Sequence, residues 1–271
     1  MIISEDGILE YFDSRDLDEN RRLVIPEGVT GIKKWPFAPK KGQFKRNMLL
    51  RLFLSELVIP GSMKKINPDE FRLLSGLEKV IFNEGVEEIG EGAFFECGSL
   101  REVDFAKSIK KIGAYAFGEC FCLQKFTLPP DLKEIEKGVF YNCGMLPEVD
   151  IPKGVTSIQG KAFKGCISLK KINFEQDSEL KYFVISAVED CEKLKSLNLP
   201  YTVDNLYLFG TLKGCKSLES ITLRDPDGIF CLSPKCKSVM ATDELLRQFL
   251  PEKTEIIRHK NTIEAGGKIK V

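Results

Sequence analysis

A chain of 271 residues, 43% hydrophobic and 30% charged, has the make-up of a folded protein rather than a disordered one. Its 40 basic and 40 acidic residues cancel to a net charge of zero, which argues against general nucleic-acid binding, since that needs a basic footprint. The longest apolar run, Met48 to Ile59, is broken by Arg51 and Glu56, so no membrane span is expected; Met1 to Gly7 lacks the features of a secretory signal, and a cytoplasmic location is expected.

Taken in chain order, residues 1–22 are expected to form an N-terminal cap. Ile2-Ile3, the turn-forming Glu5-Asp6-Gly7 and Ile8 to Phe12 suggest a hairpin covering the first open edge of a stacked structure. A repeat then occupies residues 23–223. Its first turn starts at Leu23-Val24-Ile25-Pro26, with Val29, Ile32 and Phe37 in register. An insertion at residues 38–53 interrupts it, carrying five positive charges and no negative one. Gln43 to Phe53 has helical propensity and a mixed basic and apolar face. It reads either as a partner-binding helix or as a helix packed on the flank; the second is preferred, because such stripes are usually core faces.

The pattern resumes from Leu54, and turns start at Leu77, Leu100, Leu123, Leu146 and Leu169, spaced 23 residues apart. Ala93-Phe94, Ala116-Phe117, Val139-Phe140 and Ala162-Phe163 share one position in the turn. Cys97, Cys120, Cys143, Cys166, Cys191 and Cys215 share another. A fixed period of this length marks a solenoid, in which each repeat buries its apolar face only against its neighbours. Within one repeat, Val149-Asp150-Ile151 alternates as a short strand that Pro152 stops, and Val155 and Ile158 face inward across a second extended stretch. Phe94, Phe117, Phe140 and Phe163 are expected to stack as a ladder. Column cysteines would sit about 4.8 Å apart with parallel Cβ vectors, whereas a disulfide wants about 3.8 Å, so they are read as buried free thiols. The step from Leu169 to Leu194 is 25 residues, through Gln176-Asp177, and the next, to Leu218, is 24. Such small insertions belong in loops on the outside of the coil.

After Arg224 the period ends, and residues 224–271 are expected to form a C-terminal cap with a helix at Thr242 to Leu250 and strands at Thr254 to Arg258 and Thr262 to Val271. The only histidine, His259, lies there, so neither a Ser-His-Asp arrangement nor a His-based metal site is available except around it. Cys231 and Cys236, with Cys215 as a distant third, lack the fourth ligand of a structural zinc site. Gly266-Gly267-Lys268 lacks the rest of a phosphate loop. No catalytic residue, cofactor or metal is expected.

The outward positions of the first strands read Val58, Ile81, Asp104, Thr127, Asp150, Asn173, Asn198 and Thr222, and are expected to line one face. Of these, Asp104, Thr127, Asp150, Asn173 and Asn198 are the candidate protein-binding residues, although small polar residues also suit a plain solvated face. The nearby Arg101, Glu102, Lys125, Glu148, Lys170 and Lys195 carry both signs, so no single dominant charge is implied for a partner.

The pattern L-x-x-V-x-F-P-x-x-V-x-x-I-x-x-x-A-F-x-x-C, running over residues 23–223, resembles the BspA-like leucine-rich repeat family, and its Ala-Phe-x-x-Cys signature is specific. The resemblance implies an α/β repeat: a right-handed leucine-rich-repeat solenoid of short parallel strands, stacked in ~23-residue turns, with N- and C-terminal caps. It also implies protein binding, often on bacterial or protozoan surfaces where members adhere to host matrix or other cells. The expected function is therefore a non-enzymatic protein-binding scaffold, monomeric, with an unidentified protein partner. The alternatives are a secreted or surface adhesion module whose export signal is missing from this chain, and an enzyme with a site in the C-terminal cap.

Overall fold

From Glu102–Asp104 to Ser220–Arg224, the first strand of each turn alternates polar and apolar residues. Along Glu148–Ile151, Val149 and Ile151 are buried while Glu148 and Asp150 stand in solvent, as a strand with one buried face requires. The computed structural model describes residues 1–33, 51–184, 186–203, 205–206, 211–224, 229–230, 239–240 and 252–259. Residues 38–50 of the basic insertion, the helix expected at Thr242 to Leu250 and the strand expected at Thr262 to Val271 lie outside these; residues 51–53 are helical.

The first strands of successive turns pair in parallel. Arg22–Val24, Glu56–Ile59, Lys79–Phe82, Glu102–Asp104 and Lys125–Phe126 make one five-stranded sheet. Glu148–Ile151, Lys171–Phe174, Ser196–Asn198, Ser220–Arg224 and Glu255–His259 make the next. Parallel pairing thus continues into Glu255–His259, beyond the last residue of the sequence period. A second stack consists of two-residue strands, such as Lys65–Ile66, Glu88–Ile89 and Lys111–Ile112, which put one isoleucine per turn into the core. At the N-terminus Ile2–Ile3 pairs antiparallel with Ile8–Tyr11, which in turn runs parallel to Gly31–Ile32. The fold is a stack of parallel strands with almost no helix among the described residues, where no helix is long and apolar enough to cross a membrane.

A third set of backbone bonds closes the side opposite the strands. The N–H groups of Phe94, Phe117, Phe140 and Phe163 donate to the carbonyls of Ala116, Val139, Ala162 and Ala187 in the following turn, at 2.8–3.0 Å. From Asp69 to Asp190, two residues in each turn take left-handed backbone to make this corner, among them Tyr115 (φ 54°), Glu119 (φ 59°), Lys161 (φ 63°) and Asp190 (φ 60°). An L side chain there costs roughly 1–2 kcal/mol. The cost is offset by the interlocked turns: Tyr115 lies over Gly138, where an added Cβ would stand 2.3 Å from the ring.

The phenylalanine ladder is present. Phe71, Phe94, Phe117, Phe140 and Phe163 are fully buried, with successive centroids 5.2, 5.3, 6.2 and 5.7 Å apart and planes within 20°. The column cysteines do more than fill space. Each thiol donates to a carbonyl of the preceding turn: Cys97 to Phe71, Cys120 to Phe94, Cys143 to Phe117, Cys166 to Phe140 and Cys191 to Phe163, at 3.2–3.3 Å, and Cys215 to Val188. An alanine there would leave that carbonyl without this donor, and a serine would bury a more strongly hydrated hydroxyl.

Both stacks change hands at one turn. Lys125–Phe126 pairs back to Glu102–Asp104, but Glu134–Ile135 pairs forward to Ser157–Ile158, so each stack splits into two sheets here. Pro129 and Pro130 stand between these two strands, and neither has an N–H to donate. Aromatic packing bridges the split: Phe126 stacks on Phe140 at 4.7 Å and meets Phe105 edge-on at 6.1 Å.

The core can be tested by substitution. Phe117→Ala should cost about 3–5 kcal/mol, because rings above and below hold the cavity open. Lys110→Ala, exposed and paired with Glu87 at 3.2 Å, should stay within about 0.5 kcal/mol of neutral in urea unfolding; equal effects would contradict the assignment of inside and outside. It can also be tested by pH. Burial pushes the Cys97, Cys166 and Cys215 thiols from 9.0 up to about 12, and those of Cys120, Cys143 and Cys191 well above 9.0. A pKa raised on folding adds stability below the unfolded value, and that stability is lost as pH climbs toward the folded one. The urea midpoint should therefore fall between pH 9 and 12, with each thiol contributing up to about 1.4 kcal/mol per pH unit. Replacing Cys120 and Cys143 with alanine should flatten that fall; an unchanged slope would show that the thiols do not cause it.

Candidate functional site

The outward row of the first strands is set by register. Ile81 stands opposite Asp104, Asp150 opposite Asn173, and Asn198 opposite Thr222. Asp104, Thr127, Asp150 and Asn198 are exposed, and Asn173 and Thr222 are half-buried. The row is cross-linked rather than free: Asn173 Nδ2 donates to Asp150 Oδ1 at 2.8 Å, and Thr222 Oγ1 to Asn198 Oδ1 at 3.1 Å. These bonds tie the side chains of neighbouring turns to one another along the row.

The structure departs from the expected row in two places. Val58 does not face solvent: it is 5% exposed, while its neighbour in register, Val24, is 48% exposed. Thr127 lies just past the paired segment Lys125–Phe126, where the first stack splits, so it does not join Asp104 and Asp150 in one continuous ladder. Of the five candidate residues, Asp104 therefore lies in the first sheet, Asp150, Asn173 and Asn198 lie in the second, and Thr127 lies outside both.

Beside this row runs a second one in which charge alternates from turn to turn: Arg22, Glu56, Lys79, Glu102 and Lys125, then Glu148 opposite Lys171. Lys171, rather than Lys170, is thus the neighbour of Glu148. Arg22 pairs with Glu56 at 2.6 Å; Glu102 accepts from Lys125 at 2.7 Å and from Lys79 at 3.3 Å; Lys79 also reaches Asp104 at 2.8 Å. The Lys125 hydrogen bond leads in holding the Glu102 carboxyl below its usual range, and the Asp104 hydrogen bond raises the Lys79 ammonium. Such exposed pairs contribute little stability; their effect here is to neutralise the face locally and to fix register.

Among the described residues no three His, Cys, Asp or Glu side chains gather as a metal site. His259 is the last residue of the strand Glu255–His259, and Cys231 and Cys236 lie outside the described residues. Two surface hollows are lined by described residues. One, of about 550 Å³, is lined by Asp69, Arg72, Glu91, Phe95, Tyr115 and Tyr141, with the Arg72 guanidinium 4.8 Å over the Phe95 ring. The other, of about 850 Å³, lies along Phe174, Glu175 to Glu179 and Leu199 to Thr202, and reaches Asn198 and Thr222 of the outward row. The residues of this second hollow, Asn198 and Thr222 apart, carry no motif that marks a site. Their one signal in the sequence is the 25-residue step through Gln176-Asp177.

Comparison with known proteins gives one family. The BspA type leucine rich repeat region, in 6 copies, matches residues 43–166 and 133–229. No curated protein matches the chain. Among solved structures it is similar to a leucine-rich repeat protein from Bacteroides ovatus, at 16% identity over 88% of this chain and 84% of that one, with a TM-score of 0.46. It is also similar to the T. pallidum leucine rich repeat protein, at 22% identity over 81% and 76%, with a TM-score of 0.45.

The row makes a stability prediction of its own. Asp150→Arg with Asn173→Arg should shift unfolding by no more than about 1 kcal/mol, since both side chains lie at the surface. Val58→Arg should cost roughly 3 kcal/mol or more by burying an unpaired charge. Urea midpoints measure both, and a tolerated Val58→Arg would restore that residue to the outward row.

Proposed function

Because the chain belongs to the BspA-type leucine-rich repeat family, we propose that it is a non-enzymatic protein-binding scaffold that presents its strand face to a protein partner. The observation that carries this reading is the row Asp150, Asn173, Asn198 and Thr222, whose side chains are pre-oriented by bonds between neighbouring turns. Groups already fixed lose little entropy on binding, so a stiff sheet of short acceptors suits hydrogen bonding to an extended segment. Asp104 and Thr127 extend the same face toward the N-terminal sheet. The chain acts as a monomer in this reading. Its unbridged thiols at Cys97, Cys120, Cys143, Cys166, Cys191 and Cys215 favour a reducing compartment, the cytoplasm, over a cell surface. Fractionation of native cells tests the location: recovery in the envelope or the medium would reject it.

Affinity capture from the native cell tests the binding face. Replacing Asp104, Asp150 and Asn173 with arginine should abolish capture of the partner held by the unaltered chain, with far-UV circular dichroism unchanged. If capture survives those changes and is lost on deleting residues 40–53, the basic insertion is the binding element and the row is a solvated surface.

A further inference from the structure

In a solenoid, residues inserted into one repeat map to a loop on one face, often the binding face. The turn from Leu169 to Leu194 has 25 residues where the preceding one has 23. Its excess lies between the strands Lys171–Phe174 and Tyr182–Phe183, where Asp177 takes left-handed backbone at φ 58°. The loop is anchored from within rather than loose. Ser178 is buried, its carbonyl accepts from Thr202 Oγ1 at 3.0 Å, and Glu179 N donates to the Lys153 carbonyl at 2.9 Å. The groove of about 850 Å³ beside it is a formed feature.

Its chemistry is divided. The half-buried Phe174, Pro200 and Tyr201, with the buried Leu199, supply an apolar floor. Glu175, Asp177, Glu179 and Lys181 are exposed around it, three carboxylates against one ammonium. One Glu175 oxygen accepts from Lys153 N at 3.3 Å; Asp177, Glu179 and Lys181 form no ion pair among the described residues. The acidic excess contrasts with the alternating row of the N-terminal sheet, where carboxylates are matched by arginine and lysine. The groove also opens onto Asn198 and Thr222, so a chain lying along the outward row runs into it.

Resting on the scaffold reading, we propose that this groove receives an extended basic peptide segment of the partner. One apolar side chain seats against Phe174 and Tyr201, flanking lysines or arginines meet Asp177 and Glu179, and the backbone continues toward Asn198. Charge complementarity selects this occupant: the carboxylate excess disfavours nucleic acid and acidic peptides, and the apolar floor adds what a simple cation would not use.

The test uses the full chain and two fluorescein-labelled peptides, Gly-Lys-Phe-Lys-Phe-Lys-Gly and its counterpart with glutamate for lysine, followed by fluorescence anisotropy. The basic peptide should bind at least about tenfold more tightly than the acidic one, and its affinity should fall with added salt. Asp177→Asn with Glu179→Lys should weaken it about tenfold, and asparagine keeps the left-handed backbone acceptable. Tyr201→Ala should weaken both charge-dependent and apolar binding, with melting temperature as the control for folding. Equal binding of the two peptides, or binding indifferent to Asp177→Asn with Glu179→Lys, would overturn the proposal. Failure of the basic peptide to bind would also overturn it, and would leave the scaffold reading intact if the arginine-substituted row still abolished partner capture.

Discussion

Each turn of this chain is incomplete until the next one covers it, and the hydrogen bond from a column thiol to a phenylalanine carbonyl of the preceding turn states that dependence most compactly. Cys120 needs Phe94 of the turn before for its thiol, and Phe117 needs Val139 of the turn after for its N–H. Stacked rings fill the coil between these bonds. No turn has a core of its own, so stability here is a sum of neighbour contacts, as in other repeat arrays. The left-handed backbone at Tyr115 or Lys161 persists for the same reason: the adjoining turns over-determine the corner.

That constraint also shapes the surface. Side chains held in step present rows, and the rows differ in what they leave available. The alternating row from Arg22 to Lys125 satisfies itself through ion pairs. The outward row satisfies itself in part, through Asn173 to Asp150 and Thr222 to Asn198. Beside Asp177, where the period lengthens, the surface holds both an apolar floor and unmatched carboxylates. Regularity builds the face and the departure from regularity gives it character.

Much of the architecture was legible in the residues. The Phe and Cys columns, the short strand ending at Pro152 and the N-terminal hairpin all rest on spacing and alternation, which register with neighbours preserves. Features that depend on local backbone or on three-dimensional company were not legible. Nothing in Glu119 or Lys161 announces a positive φ, because the corner is imposed by the adjacent turns. Val58 has the strand position of an outward residue and is buried nonetheless, and the division of both stacks at the turn of Pro129 and Pro130 needs the pairing to be seen. Of the candidate site, the strand positions were readable from alternation, whereas the bonds between Asp150 and Asn173 and the groove against Tyr201 exist only once turns are superposed.

Residue-resolved native-state hydrogen exchange tests the interlocked stack most directly. The amides of Phe94, Phe117, Phe140 and Phe163 should exchange last and together, through cooperative opening of the whole stack, while the exposed Gln176 and Asp177 exchange early. If one of those four amides exchanged as freely as Asp177 while its neighbours stayed protected, the turns would be independent and the account of a mutually completed core would be wrong.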